Sequence, residues 1–125
     1  MPAQTVFLAG ASGVIGRRLV PLLIEAGHRV FGTTRSTKKA VELEELGATP
    51  IVVDIFDGVE LAYALRKAHP SVVMHQLTDL PKTPGGPLSE SILRANARLR
   101  DEGTRKLVDA AIATGARRFI AQSLA

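Results

Sequence analysis

The chain has no cysteine and no tryptophan, and only one tyrosine and four phenylalanines among its 125 residues. Without cysteine there can be no disulfide, no thiolate metal ligand and no cysteine nucleophile. So few rings leave little on which to stack the bases of a nucleic acid. Long hydrophobic runs are missing too. No apolar stretch approaches the ~20 residues of a membrane span, and the N-terminus lacks the basic, apolar and small-residue segments of a secretory signal. Acidic residues are the scarcer charge, 12 against 16 Lys and Arg, for a formal net charge of +4. The basic residues are scattered and mostly balanced by nearby acids, so a protein that handles phosphorylated ligands accounts for the excess as well as one that binds nucleic acid. These absences favour a cytoplasmic protein with neither nucleic acid nor membrane as partner. The remaining composition, 46% apolar and 22% charged, is that of one ordinary globular domain.

Glycine, by contrast, is placed with purpose. Gly10-Ala11-Ser12-Gly13-Val14-Ile15-Gly16 follows an apolar run, Thr5 to Ala9, that reads as a buried strand. It leads into a helical pattern over Val14 to Ala26, stopped by Gly27. Strand, glycine turn and helix together bind the pyrophosphate of a dinucleotide. Gly10 lets the chain leave the strand in a tight turn, Gly13 lets backbone approach the phosphates, and Gly16 lets the helix pack close. The free N–H groups of the first helical turn, at the positive end of the helix dipole, then meet the anion.

Strand-like and helix-like stretches alternate along the rest of the chain. Strands are expected at Arg29–Thr34, Thr49–Val53, Ser71–Gln76 and Arg118–Gln122. Ser36 reads as the N-cap of a helix ending before Gly47, and Asp57 with Glu60 opens another through Ala68. A long helix is expected over Ser89–Thr114, after a proline- and glycine-rich loop from Thr78 to Pro87. Pro21 predicts a local kink in the first helix. Right-handed crossovers turn this alternation into an α/β fold, a Rossmann-type doubly wound parallel sheet in three α/β/α layers with strand order 3-2-1-4-5.

The end of the second strand separates NAD from NADP, because an NAD site places a carboxylate there for the ribose hydroxyls. Here the position is Thr34 and Arg35 follows it. No carboxylate repels a 2′-phosphate, and an arginine grips one through two parallel hydrogen bonds, so NADP is expected over NAD. Arg17 offers a second positive charge, and an Arg35 that merely points to solvent is the competing reading.

Glycines at relative positions one, four and seven resemble the G-x-x-G-x-x-G of the extended and atypical short-chain dehydrogenase/reductase family, which includes the NAD(P)-dependent epimerases and dehydratases. Gly103-Thr104-Arg105-Lys106-Leu107-Val108-Asp109-Ala110-Ala111 is similar to that family's G-T-x-N-L-L-x-A-A helix, and Gly115 to Ile120 to its G-V-K-R-F-V. The resemblance implies that Gly10, Ser12, Gly13, Val14, Ile15 and Gly16 hold the pyrophosphate. It implies that Asp54-Ile55 lies beside the adenine, an aspartate that only caps the following turn being the other reading. His75-Gln76-Leu77-Thr78 stands where the family has H-L-A-A. Gln76, Leu77 and Thr78 would then flank the cofactor ribose, with His75 structural. The family's usual asparagine is Arg100 here, and Asn96 lies on a similar helix face. Ser123 falls in the family's serine run, with Leu124 at the position of the catalytic serine.

The family's Tyr-x-x-x-Lys does not occur in these residues, so none of them is expected to be catalytic. Family members are about twice as long. The resemblance therefore implies that residues 1–125 are a truncated cofactor-binding domain without its substrate lobe; a naturally short protein is the alternative. Two functions follow. One is the dinucleotide-binding half of an oxidoreductase, epimerase or dehydratase that transfers hydride on a sugar nucleotide or small carbonyl. The other is a non-catalytic module that senses NADP. The family's habit of pairing its long helix implies a homodimer through residues 89–114.

Overall fold

The central strand β1, Thr5–Ala9, is buried on both faces from Val6 onward, as an apolar run in a covered parallel sheet must be. Its alternating side chains feed two separate cores. Phe7 and Ala9 face one, and Leu8 faces the other. In this computed structural model, which describes residues 3–77 and 90–121, five strands lie parallel in the order β3-β2-β1-β4-β5. The remaining strands are β2 Arg29–Thr34, β3 Thr49–Val52, β4 Val72–His75 and β5 Arg118–Ala121. β3 lacks the expected Val53 at its C-terminal end, and β4 lacks the expected Ser71 and Gln76, one at each end.

On one face, α1 (Val14–Glu25) and α2 (Thr37–Glu45) close the smaller core through Val20 and Leu43. On the other, α3 (Gly58–Ala68) and α5 (Thr104–Ala113) close the larger one through Leu61, Leu65 and Leu107. Each such large side chain, fully buried, contributes about 1.5–3 kcal/mol. α1 continues through Pro21, whose ring lies on the exposed side. The cost there is one i→i−4 hydrogen bond.

Pro50 has a positional reason. β3 is the edge strand, and Val53 N–H donates to Thr34 O at 3.1 Å, so 51 and 53 turn their N–H groups toward β2 and 50 turns outward. A proline at that outward position removes a donor from the open edge, which blunts strand-to-strand aggregation.

The long helix expected over residues 89–114 is not uniform. It consists of α4 (Glu90–Arg98), a π turn at Leu99–Gly103, and α5. Buried positions 96, 99, 103, 107 and 110 keep helical spacing through the wide turn, so no signal in the hydrophobic pattern marks it. Among the described residues no helix is long and apolar enough to cross a membrane.

Candidate functional site

The chain leaves β1 at Gly10 in a left-handed conformation, φ 81°, which costs a side-chain-bearing residue energy and costs glycine none. A Cβ there would also lie 2.8 Å from the Gln76 carbonyl carbon. The turn is tied to the end of β2: Gly10 N–H donates to Thr33 Oγ1 at 3.0 Å, and Ala11 N–H to Thr33 O at 3.0 Å. Ser12 Oγ donates to Thr34 Oγ1 at 3.0 Å. Thr33 and Gly32 were not singled out by their residue type. Gly32 is nevertheless required, since a Cβ on it would stand 2.7 Å from that of Ala11. A glycine within a β-branched strand is the one signal that marks such a close approach.

Gly16 is required by packing, for a Cβ on it would sit 2.3 Å from Gly10 O. What Gly16 fits against is the loop itself rather than the strand. Gly13 is different: an added Cβ meets only Gly10 O, at 3.4 Å, and otherwise open space. Gly13 is the N-cap of α1 and supplies no side-chain cap, and the first turn holds no acidic residue. The first intrahelical bond is Arg17 N–H to Gly13 O, 2.9 Å, so the N–H groups of Val14, Ile15 and Gly16 have no partner within the helix. Gln76, whose backbone lies against Gly10, has its Oε1 buried without a hydrogen-bond partner among the described residues. An uncapped helix start, an open approach at Gly13 and an orphaned buried acceptor suit an anionic ligand that brings hydrogen-bond donors of its own. The pyrophosphate and ribose hydroxyls of a dinucleotide are such a ligand.

The other expected positions divide. Thr34 is buried and its Oγ1 accepts from Ser12 Oγ and from Ser36 N–H at 3.2 Å, so its hydroxyl is committed inside the protein. Arg35 next to it is exposed. The ion pairs among the described residues all lie along residues 90–105, so neither Arg35 nor Arg17 has a carboxylate partner there. Asp54 is exposed, and its Oδ1 accepts from Phe56 N–H at 2.9 Å. The turn-capping reading of Asp54 therefore holds for one oxygen. Ile55 is buried in the larger core.

Two contacts that sequence reasoning missed pin this β3–α3 loop to the long helix. Lys106 Nζ donates to Phe56 O at 3.0 Å, and the Arg98 guanidinium lies 3.9 Å from the centre of the Phe56 ring. Of the two candidates on the long helix, Asn96 is buried and hydrogen-bonded or otherwise engaged, whereas Arg100 is exposed. Gln76 and Leu77 follow β4 directly against Gly10. Thr78 and Ser123 lie outside the described residues. Burial lowers the pKa of His75 below the usual imidazole range, opposed by a hydrogen bond to the backbone of Leu99.

Residues 10–125 match the family model described as NAD(P)H-binding. A 3-diazoavenalumate denitrifying reductase from a Streptomyces species is 42% identical over 120 residues, which are 96% of this chain and 38% of that protein. A UDP-glucose-4-epimerase from Stenotrophomonas maltophila, solved with bound NAD and formylated UDP-arabinopyranose, superposes with a TM-score of 0.78 at 21% identity. The match covers 98% of this chain and 37% of that one. A short-chain dehydrogenase/reductase superfamily protein from Agrobacterium tumefaciens, solved with NAD, gives 0.69 at 28% identity over 93% of this chain and 31% of that one. The chain thus spans well under half the length of these relatives.

Proposed function

The chain belongs to the NAD(P)H-binding family, and from that premise we propose that it is the cofactor half of an oxidoreductase, epimerase or dehydratase, with NADP preferred to NAD. The observation that carries the reading is the glycine loop: unpartnered N–H groups at residues 14–16 beside the open space at Gly13. When bound, the dinucleotide supplies reversible hydride transfer, and a sugar nucleotide or a small carbonyl compound is the proposed substrate class. The chain's own residues hold and orient it. Gly10, Ser12, Gly13, Val14, Ile15 and Gly16 surround the pyrophosphate. Asp54 and the backbone of Ile55 border the adenine, and the loop carrying them is kept in place by Lys106. Gln76, Leu77 and Asn96 border the ribose and nicotinamide side, to which the family resemblance also assigns Thr78 and Ser123, outside the described residues. A homodimer through residues 89–114 belongs to the same proposal. That helix offers Leu93 and Ile112 in exposed positions beside three exposed i,i+4 ion pairs.

The preference for NADP rests on Arg35. The Thr34 hydroxyl is already used, no carboxylate stands at the end of β2, and the exposed guanidinium has no acidic partner among the described residues. A charge-assisted contact of this kind is worth roughly 1.5–3 kcal/mol, or about 10- to 150-fold in affinity. Arg35→Ala is expected to weaken NADP binding by that factor in calorimetric titration and to leave NAD binding nearly unchanged. Its NADP affinity should also depend less on salt. Equal affinities of the unaltered protein for NAD and NADP would contradict the assignment.

A non-catalytic NADP-sensing module is the second reading. It is favoured by Leu124 at the family's serine position and by the place of the single tyrosine. Tyr63 lies midway along α3, in a groove of about 760 Å3 that α3 forms with β2 and β3, not at the glycine loop.

A further inference from the structure

We infer that His75 is a positioning residue of the dinucleotide site: its ring fixes the segment Gln76–Leu77 against which the glycine turn is built. The inference rests on the dinucleotide reading above. His75 is the last residue of β4, paired in register with Ala9 of β1 and Ala121 of β5, and it is 5% exposed. Its Nδ1 accepts the Leu77 N–H at 3.1 Å. A side-chain acceptor at one residue taking the N–H two residues on is the geometry of an Asx turn, here made by an imidazole. The segment held in this way is the wall of the glycine loop. The missing Cβ of Gly10 points at Gln76 C and O, 2.8 Å away, and at Leu77 N, 3.0 Å away. Gln76 N–H in turn donates to Ala9 O at 2.9 Å, one residue before that glycine. The Leu77 N–H bond therefore sets where the chain lies beyond β4, and through Gly10 where the pyrophosphate loop begins. His75 touches no ligand in this arrangement, and it acts through Leu77.

The acceptor role requires a neutral ring with its proton on Nε2. Among the described residues no charged side chain acts on the imidazole, only burial and the backbone of Leu99: Arg100, Asp101 and Glu102 of the π turn and Arg118 of β5 are all exposed, and β1 has no charged residue. Burial lowers the pKa of His75 from its ordinary 6.5, so the ring is neutral in the folded protein at neutral pH. The sign follows. The contribution of the Leu77 bond is complete above about 6.5 and is lost as pH falls through the lowered value, when a proton occupies Nδ1.

The test compares the unaltered chain with His75→Asn, whose Oδ1 can accept the same N–H, and with His75→Leu, which cannot. NAD is the probe, because its pyrophosphate does not titrate between about pH 5 and 8, where an unperturbed histidine does. At neutral pH the Asn variant should bind NAD within about twofold of the unaltered protein and the Leu variant about tenfold more weakly. On acidification the unaltered protein should lose affinity while the Asn variant stays flat. Without cofactor, amide exchange at Leu77 should be slow in the unaltered and Asn proteins and fast in the Leu variant. If the Leu variant does not fold, the pH profiles of the other two still decide. Identical profiles for those two, or a folded Leu variant with unaltered affinity and slow exchange at Leu77, overturn the inference alone. Failure of the unaltered, folded protein to bind both NAD and NADP overturns the dinucleotide reading. In that event exchange at Leu77 still shows whether His75 holds the segment.

Discussion

At Gly16 an added Cβ would stand 2.3 Å from the Gly10 carbonyl oxygen, while at Gly13 it would meet only that oxygen, at 3.4 Å. The two glycines of one motif are thus under different constraints, tight packing at Gly16 and open space at Gly13. Gly16→Ala is expected to destabilise the protein by about 1–3 kcal/mol through overpacking against backbone that cannot yield. Gly13→Ala should cost less, about 0.5–1 kcal/mol, since it loses a glycine N-cap without a backbone clash. Denaturant unfolding midpoints measure both. A Gly13 variant as destabilised as the Gly16 variant would show that the loop is closed by the protein itself. The motif was legible because glycine spacing is written in residue types. The tie from Thr33 to Gly10, and the commitment of the Thr34 hydroxyl to Ser12 and Ser36, were not. They depend on which way side chains turn at the end of β2, and any small hydroxyl residue reads alike in a sequence.

Helix starts show how local chemistry sets whole elements. Ser36 accepts from Lys39 N–H at 3.2 Å and Asp57 from Glu60 N–H at 3.1 Å, each as the sequence suggests, because an N-cap needs only its own neighbours. Asp57→Ala should remove about 1 kcal/mol of stability and lower the melting temperature by roughly 3–6 °C. A thermal scan that leaves the midpoint unchanged would mean that the Lys106 contact to Phe56, not the cap, fixes the start of α3. The π turn at Leu99–Gly103 lay beyond the reach of sequence pattern, since the buried positions around it keep helical spacing. The shortened ends of β3 and β4 were equally hidden. Hydrophobicity continues past the last paired residue in both, into Val53 and Ile55 and into Leu77, of which Ile55 and Leu77 pack in the larger core.

At the scale of the molecule, the strand order 3-2-1-4-5 brings the ends of β1, β2, β3 and β4 to one edge, where ligands of doubly wound sheets bind. Residues 10, 34, 54 and 76, far apart in the chain, meet there only because every crossover between parallel strands has the same hand. That is why alternation and handedness sufficed to give the strand order from sequence, while the side-chain geometry at this edge had to be seen. The central claim is that a dinucleotide enters this edge at Gly13. It is tested most directly by calorimetric titration of NADP into the folded chain and into Gly13→Val, with matching circular dichroism spectra as the control. The account predicts saturable one-to-one binding by the unaltered chain and none by the variant, whose side chain fills the space left for phosphate. Equal affinity in the two proteins, or no binding by the unaltered one, would contradict it.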